Sequence, residues 1–252
     1  EVVELWAEEK DDFRFDAQRC AYLISQLKPK AVFVCNPNNP TGQYLTKPEI
    51  ELILDAAGNE VLVVLDEAYI AFTEKAWKAV DLLPRGNLII VRSMTKDFAL
   101  AGLRLGYGLS SVEIINQLLK VKPPWNVNVV AQCAGKQALE DRAYIRSSES
   151  QIRYNRDYLL SELSDIGYLS IKTMTNFFLL KVGNATSFRA ALIRKGVIVR
   201  DCTSFGLPEY VRIAPRTLPE CRVLAQAIRI FSETMQKFRN ILDFRGGDNR
   251  ES

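Results

Sequence analysis

The sequence predicts an α/β protein with two parts: a large domain built on a three-layer, mostly parallel sheet, and a smaller C-terminal α+β domain. Two observations lead to this prediction. In the first half, short apolar runs alternate with amphipathic stretches, a pattern typical of a parallel sheet covered by helices on both faces. After a long helical stretch over 127–165, short strand patterns alternate with two further helices, which is typical of an α+β unit.

The predicted strands of the large domain are four short apolar runs. They cover 31–34, 61–65, 87–91 and 103–109. A helix is predicted over 46–57, because Thr46 can act as its N-cap, Pro48 fits the first turn, and Glu49 closes a capping box. Residues 2–6 also resemble an interior strand, and the chain begins with Glu1 instead of Met, so we expect it to be a fragment.

The second half predicts four more strands, over 168–171, 177–182, 197–200 and 210–213, and helices over 186–195 and 218–240. The expected domain bounds are 1–140 for the large domain, 141–165 for a connecting helix and 166–242 for the small domain. Residues 243–252 are polar and glycine-rich at their end, and we expect a disordered tail there.

Composition excludes several kinds of chemistry. The 252 residues include no histidine, which rules out a Ser-His-Asp triad, a Cys-His dyad and a histidine-ligated metal. The five cysteines are scattered and form no CxxC pair, so we expect reduced thiols and no metal site.

Charge and hydropathy indicate neither a nucleic-acid partner nor a membrane span. The 33 basic and 30 acidic residues give a net charge of +3, and the basic residues form no run, so a nucleic-acid partner is not expected. The sequence has no apolar stretch of about 18 residues and no secretory signal pattern. We therefore expect no membrane association and a cytoplasmic location.

Four short motifs in the first half carry the chemistry. They are Asn36-Pro37-Asn38-Asn39-Pro40-Thr41-Gly42, Asp66-Glu67-Ala68-Tyr69, Ser93-Met94-Thr95-Lys96 and Arg104-Leu105-Gly106-Tyr107. Each motif follows or begins a predicted strand, so all four can lie at one edge of a parallel sheet. Open α/β sheets bind ligands at that edge.

In order and spacing, the four motifs resemble the class I/II aminotransferases of pyridoxal-phosphate fold type I, close to the histidinol-phosphate aminotransferases and threonine-phosphate decarboxylases. The resemblance covers nearly the whole chain. It implies that Lys96 forms a Schiff base with pyridoxal 5'-phosphate and later moves a proton. It also implies that Asp66 pairs with the pyridine nitrogen and keeps the ring an electron sink. Taken alone, Lys96 could be a surface lysine and Asp66 a turn residue.

The same resemblance assigns further contacts to the cofactor. Tyr69 and Asn39 correspond to the residues that reach the ring oxygen. Ser93 and Arg104 correspond to the residues that hold the phosphate, with Thr95 as an additional hydroxyl. The alternative for Asn39 is simple turn chemistry, and for Arg104 a purely structural arginine.

The small domain is expected to contact the substrate. Arg212, between apolar neighbours in a predicted strand, resembles the arginine that binds the substrate carboxylate. Arg200 is a candidate for a second anion contact, with an ion pair to Asp201 as the alternative. Asn176 resembles an asparagine that begins a small-domain strand near the site.

The resemblance implies a homodimer, and it also shows that the family's segment before the asparagine motif is mostly missing from this sequence. The expected function is transfer of an amino group between a phosphorylated amine and a 2-oxo acid, as in histidinol-phosphate aminotransferases. Two alternatives stay open: a threonine-phosphate decarboxylase, and a non-catalytic relative that binds pyridoxal phosphate. Short motifs do not separate them, because substrate orientation decides which bond breaks.

Overall fold

The computed structural model describes the backbone of residues 1–247, and the side chains of 1–141 and 143–237. The chain forms two compact units. The first contains Glu1–Glu149 and Lys172–Asn176, and the second contains Ser150–Ile171 and the residues from Phe177 onward. The division therefore falls inside a long helix, and a five-residue segment returns to the first unit.

The first unit has a four-stranded sheet. Its strands are β1 (Ala31–Cys35), β2 (Leu62–Asp66), β3 (Leu88–Ser93) and β4 (Gly106–Leu109), and its helices are α1 (Ala17–Leu27), α2 (Lys47–Ala57), α3 (Val112–Val121) and α4 (Val129–Glu140). Short 3-10 helices lie at Glu9–Asp11, Ile70–Phe72, Ala79–Arg85 and Ala101–Leu103. The strands follow the order β1-β2-β3-β4, with β1, β2 and β3 parallel and β4 antiparallel. The mostly parallel sheet of the prediction is confirmed.

One face of this sheet carries the main hydrophobic core. Val63, Leu65 and Ile90 point into it and are fully buried, packed with residues of α1 and α2. Residues on the other face alternate with them and are less covered, since Phe33 is 79% exposed and Val91 is 39% exposed. The two faces of the strands therefore have different surroundings.

Three predictions for this unit need correction. Residues 2–6 form no strand, and their large side chains are mostly exposed. The strand expected over 103–109 begins only at Gly106, because Ala101–Leu103 form a 3-10 turn and Arg104 adopts a left-handed backbone with φ of 55°. The helix expected over 127–165 is two helices, α4 and α5 (Arg142–Asp165), separated at Asp141.

The second unit is a small antiparallel sheet with three helices. It contains the end of α5, β5 (Phe178–Lys181), α6 (Ala185–Ile193), β6 (Arg200–Asp201), a 3-10 turn at Thr203–Phe205, β7 (Tyr210–Ile213) and α7 (Leu218–Gly247). The strand order is β5-β7-β6. Apolar side chains of α5, α6 and α7 bury one face of the sheet, and Phe188 packs edge-on against Tyr168 and Phe231. The smaller α+β part of the prediction is confirmed.

Three details of the second unit differ from expectation. The strand expected over 197–200 shares only Arg200 with the observed β6. Residues 168–171 make only an isolated bridge, between Ser170 and Leu180, instead of a strand. Helix α7 continues to residue 247 and so covers the beginning of the expected tail, while 248–252 lie outside the described residues. None of the helices described is both long enough and apolar enough to span a bilayer.

Candidate functional site

The four motifs meet at one edge of the larger sheet. Because β1, β2 and β3 are parallel, the loops that follow them leave from the same edge. Strand β4 is antiparallel to β3 with Ser93 opposite Gly106, so the residues just before β4 reach that edge as well. The predicted convergence of the motifs is therefore a property of the sheet register.

The first motif is held in place by Asn36, a residue that sequence reasoning left without a role. Asn36 is fully buried, and its side-chain amide exchanges two hydrogen bonds with the backbone of Leu45, at 2.7 and 3.3 Å. Its backbone N–H donates to the Asp66 carbonyl. The loop that carries half-buried Asn39 is thus pinned at its base to the end of β2.

The end of the first motif packs against residues 172–176, which sequence reasoning also did not connect with it. Gly42 has φ of +75°, and its carbonyl accepts a hydrogen bond from Met174 N–H at 2.9 Å. A Cβ at Gly42 would lie 2.1 Å from Thr173 Oγ1. The Gln43 side chain also donates to the Lys172 carbonyl. Glycine is therefore required here both by the backbone conformation and by the close approach.

Asn176, the last residue of that segment, has an unmet hydrogen-bonding capacity. Its side-chain oxygen is buried and accepts no hydrogen bond from the part of the chain that the structure describes. A buried acceptor without a donor costs free energy. Asn176 therefore offers a preformed acceptor in the unit that contains the four motifs.

The second and third motifs bring a carboxylate, a phenol and an amine to this edge. Asp66 ends β2 and is half-buried, and its Oδ1 accepts the Ala68 N–H at 2.9 Å. Exposed Lys96 follows β3, and its Nζ lies 5.9 Å from the centroid of the Tyr69 ring. Lys96 and Tyr69 are thus neighbours in space although 27 positions separate them in the sequence.

The thiol of Cys35 lies on the strand beside Asp66. The two residues are register partners in β1 and β2. Burial, and then the nearby Asp66 carboxylate, raise the pKa of Cys35 to about 11. The thiol therefore stays protonated near neutral pH and contributes no charge to the site.

Two hydroxyls and a guanidinium complete the edge. Ser93 Oγ and Thr95 Oγ1 are 2.7 Å apart, and Thr95 N–H points to Ser93 Oγ at 3.3 Å. Arg104 is exposed, and its Nη1 donates to the Ala101 carbonyl at 3.1 Å. Hydroxyls and an arginine are the donors that a phosphate group requires.

The second unit contains the two arginines expected to bind substrate. Arg200 on β6 and Arg212 on β7 are register partners. The Arg200 guanidinium donates to Ser204 Oγ at 2.9 Å and lies over the Phe205 ring, and that of Arg212 lies 4.9 Å from the Phe177 ring centroid. Both arginines line a cavity of about 1000 Å³ around edge strand β6.

The ion pair between Arg200 and Asp201 that the sequence left open is not found among the described residues. The Asp201 carboxylate instead accepts hydrogen bonds from Thr186 and from the N–H and hydroxyl of Thr203, at 2.6 to 2.8 Å. These hydrogen bonds, those from Thr203 first, lower the pKa of Asp201. The Arg200 guanidinium is therefore free of its sequence neighbour.

The donor set of the larger unit fits pyridoxal phosphate. It offers an amine for the aldehyde, a carboxylate for the ring nitrogen, a phenol and an amide for the ring oxygen, and hydroxyls with a guanidinium for the phosphate. These groups come from loops at one sheet edge, which is where open α/β sheets bind ligands.

Comparison with known proteins gives one family. The model of a family described as aminotransferase class I and II matches residues 1–228. The histidinol-phosphate aminotransferase of Anaeromyxobacter sp. (strain Fw109-5) is 36% identical over 209 residues, which are 81% of this chain and 57% of that protein. The chain thus spans little more than half the length of this relative.

Solved structures show the same fold. The histidinol-phosphate aminotransferase from Clostridium acetobutylicum matches with a TM-score of 0.82 and 27% identity, over 89% of this chain and 69% of that one. A decarboxylase from Sulfurospirillum multivorans matches with a TM-score of 0.82 and 30% identity, over 92% of this chain and 70% of that one. Two different reactions are therefore represented among similar folds.

Proposed function

The chain belongs to the class I and II aminotransferases, and on that premise we propose that its protein transfers an amino group between a phosphorylated amine and a 2-oxo acid. Membership of this family implies pyridoxal phosphate as the cofactor. The observation that supports the proposal best is the position of Lys96 beside Tyr69 at the edge where all four motifs meet. The 36% identity to a histidinol-phosphate aminotransferase favours that substrate class.

Each predicted site residue of the larger unit has a defined task in this proposal. Bound pyridoxal phosphate supplies a ring that withdraws electrons from the substrate α-carbon. Lys96 would hold the cofactor through its Nζ, and once the substrate amine took its place on the cofactor, the freed Nζ would move the proton at the substrate Cα. Asp66 keeps a proton on the ring nitrogen, while Tyr69 and Asn39 hydrogen bond the ring oxygen. These roles require a fixed arrangement, which the anchored loop of Asn39 favours.

Two sets of residues are assigned to anion binding in this proposal. In the larger unit, Ser93 and Arg104 bind the cofactor phosphate, and Thr95 adds a hydroxyl. In the smaller unit, Arg212 binds the substrate carboxylate or phosphate and Arg200 adds a second contact. Two guanidinium groups on partner residues of adjacent strands repel each other unless an anion lies between them. Asn176 offers its unmet acceptor to a donor of the substrate.

A decarboxylase of the threonine-phosphate type is the second candidate. It is supported by the decarboxylase structure, which matches this chain with slightly higher identity than the aminotransferase structure at the same TM-score. Both reactions use the same cofactor, and they differ in which bond to the α-carbon stands perpendicular to the ring. Both also take a substrate that carries phosphate.

Assay of the intact protein with two substrates separates these candidates. Histidinol phosphate with 2-oxoglutarate should yield glutamate at a rate that depends on the keto acid. Threonine phosphate should yield no carbon dioxide. Release of carbon dioxide without need of a keto acid would instead establish the decarboxylase.

A Lys96→Ala variant tests the site itself and the third candidate, a non-catalytic binder. The unchanged protein should hold pyridoxal phosphate covalently at Lys96 after borohydride reduction, as peptide mass spectrometry detects. The variant should lose this label and lose turnover by at least about 100-fold, whereas the matched exposed-lysine variant Lys30→Ala should keep both. Cofactor binding without turnover of either substrate would support the non-catalytic candidate.

Assembly and location complete the proposal. We expect the protein to be a cytoplasmic homodimer that acts on small molecules, since the family implies a dimer. Light scattering of the intact protein measures the mass. A monomer with full activity would contradict the dimer.

A further inference from the structure

A buried ion pair lies directly behind the candidate site. The Glu67 side chain is only 1% exposed. Its Oε2 accepts a hydrogen bond from Arg92 Nε at 2.8 Å and lies 2.7 Å from Arg92 Nη2. The backbone N–H of Glu67 also donates to the Val91 carbonyl, so that the β2–β3 ladder extends to this residue. A carboxylate this deeply buried is costly to leave unpaired.

Both members of the pair are sequence neighbours of predicted site residues. Glu67 follows Asp66, and Arg92 precedes Ser93. Side chains alternate between faces along a strand, which places Asp66 and Ser93 on the face opposite Glu67 and Arg92. The ion pair therefore lies on the core face and does not reach the cofactor face.

Arg92 also connects to the other two loops of the site. Its register partner is Tyr107 on β4, so the two side chains lie next to each other on the same face of the sheet. Asp97, next to Lys96, lies within electrostatic reach. Burial raises the pKa of the Asp97 carboxyl, and the Arg92 guanidinium opposes that rise. Arg92 thus pairs with the residue next to Asp66 and lies beside Tyr107, which is three positions from Arg104.

We propose that Arg92, on the strand that leads to Lys96, is a positioning residue, which through Glu67 and Tyr107 fixes the spacing of the loops that carry Asp66, Lys96 and Arg104. The inference rests on the proposed function, because it assigns Arg92 a role in holding those loops for the cofactor. A planar guanidinium has several donors in fixed directions and can satisfy several partners at once. A lysine in its place keeps the charge but has a single nitrogen, so it cannot keep all three loops at their distances.

The test uses Arg92→Lys and Glu67→Gln in the intact protein. The control is Arg85→Lys, which alters an ion pair with Asp55 in the same unit, outside the four motifs. For each protein, the dissociation constant of pyridoxal phosphate is measured by titration of the apoprotein. The pH at which the absorbance of the bound cofactor changes is measured too, together with the unfolding temperature of the apoprotein.

Arg92→Lys should weaken cofactor binding by about tenfold or more, the loss expected for one or two misplaced charge-assisted hydrogen bonds. It should also shift the pH of the absorbance change, while most of the apoprotein stays folded at the assay temperature. Glu67→Gln should move both quantities in the same direction by a smaller factor, because the amide keeps one hydrogen bond. Arg85→Lys should change neither.

Several results would overturn the inference. The inference would be wrong if both variants had the same cofactor affinity and the same absorbance titration as the unchanged protein. It would also be wrong if the unfolded fraction of the apoprotein fully accounted for the loss of affinity in both variants. Failure of the unchanged protein to bind pyridoxal phosphate at Lys96 would instead refute the proposed function, and the inference with it.

Discussion

Arg200 and Arg212 are cross-strand partners in the small antiparallel sheet, each with its guanidinium near an aromatic ring. Like charges at such positions are normally unfavourable. Aromatic faces attract guanidinium groups and partly offset the repulsion. The arrangement therefore places two cationic side chains in one cavity.

Arg212→Lys should raise the KM for a phosphorylated amine substrate by about 10- to 100-fold, because lysine cannot make two parallel hydrogen bonds. Steady-state kinetics in the intact protein measure this, and kcat should fall less than KM rises. Arg222→Lys, on the exposed side of α7, is the matched control. An unchanged KM in Arg212→Lys would remove this residue from the proposed substrate contacts.

Gly42→Ala should lower the free energy of unfolding by more than a glycine-to-alanine substitution at another position with a similar φ. The left-handed conformation costs roughly 1–2 kcal/mol for a residue with a Cβ, and the contact with Thr173 adds roughly 1–3 kcal/mol of overpacking. Gly86→Ala is the control, since Gly86 has φ of +84° but open space around it. Urea unfolding compares the two variants, and equal losses would contradict the close approach to Thr173.

Glu49→Ala should lower the free energy of unfolding at pH 7 by about 1 kcal/mol, the usual loss for a removed cap. Burial favours the neutral form, but hydrogen bonds from Thr46 and the charge of Arg14 outweigh it and lower the pKa of Glu49. Because the folded pKa is depressed, the stabilisation exists above the unfolded pKa and disappears as pH falls through the folded value.

The difference in free energy of unfolding between Glu49→Ala and the unchanged protein should therefore shrink as the pH falls below about 4. Denaturant unfolding at several pH values measures it. Glu51→Ala, which removes a surface ion pair with Lys47 on the same helix, should cost less than about 0.5 kcal/mol. A Glu49 effect that does not depend on pH would argue against the role of its charge.

Cysteine labelling should follow burial. Burial is the main cause that raises the pKa of Cys20, Cys35 and Cys202 to about 11, so only about 0.1% of each is thiolate at pH 8. Exposed Cys133 should react with iodoacetamide first, as peptide mass spectrometry detects. All five should react at similar rates in urea, and early labelling of Cys35 in the folded protein would contradict its burial.

The sequence predicted those features that depend on local pattern. β1 and β7 match their predicted ranges to within one residue. β1 is a compact apolar run between Lys30 and Asn36, whereas β7 keeps a strand pattern although Arg212 interrupts its apolar residues. The helix after Thr46 begins and ends as expected, since its capping box is a local signal. The meeting of the four motifs also followed from sequence, because loops after parallel strands share an edge.

Features that depend on distant contacts were missed. The association of 172–176 with the Asn39 loop joins segments about 130 residues apart. No local sequence pattern predicts such a contact. The pairing of Glu67 with Arg92 was overlooked as well. A signal was present in the sequence, since each charged residue follows an apolar strand segment closely, where a charge that becomes buried needs a partner. Helix α1 was also missed, although Asp16 caps it and Ala17, Cys20 and Ile24 form its buried stripe.

The alternation of Asp66 with Glu67 and of Ser93 with Arg92 has an evolutionary consequence. Inserting or deleting a single residue within β2 or β3 would turn Asp66 or Ser93, which we propose to face the cofactor, toward the core and push its charged neighbour outward. We therefore expect descendants of this protein to vary these two strands by substitution and to accumulate changes of length only in the loops before them.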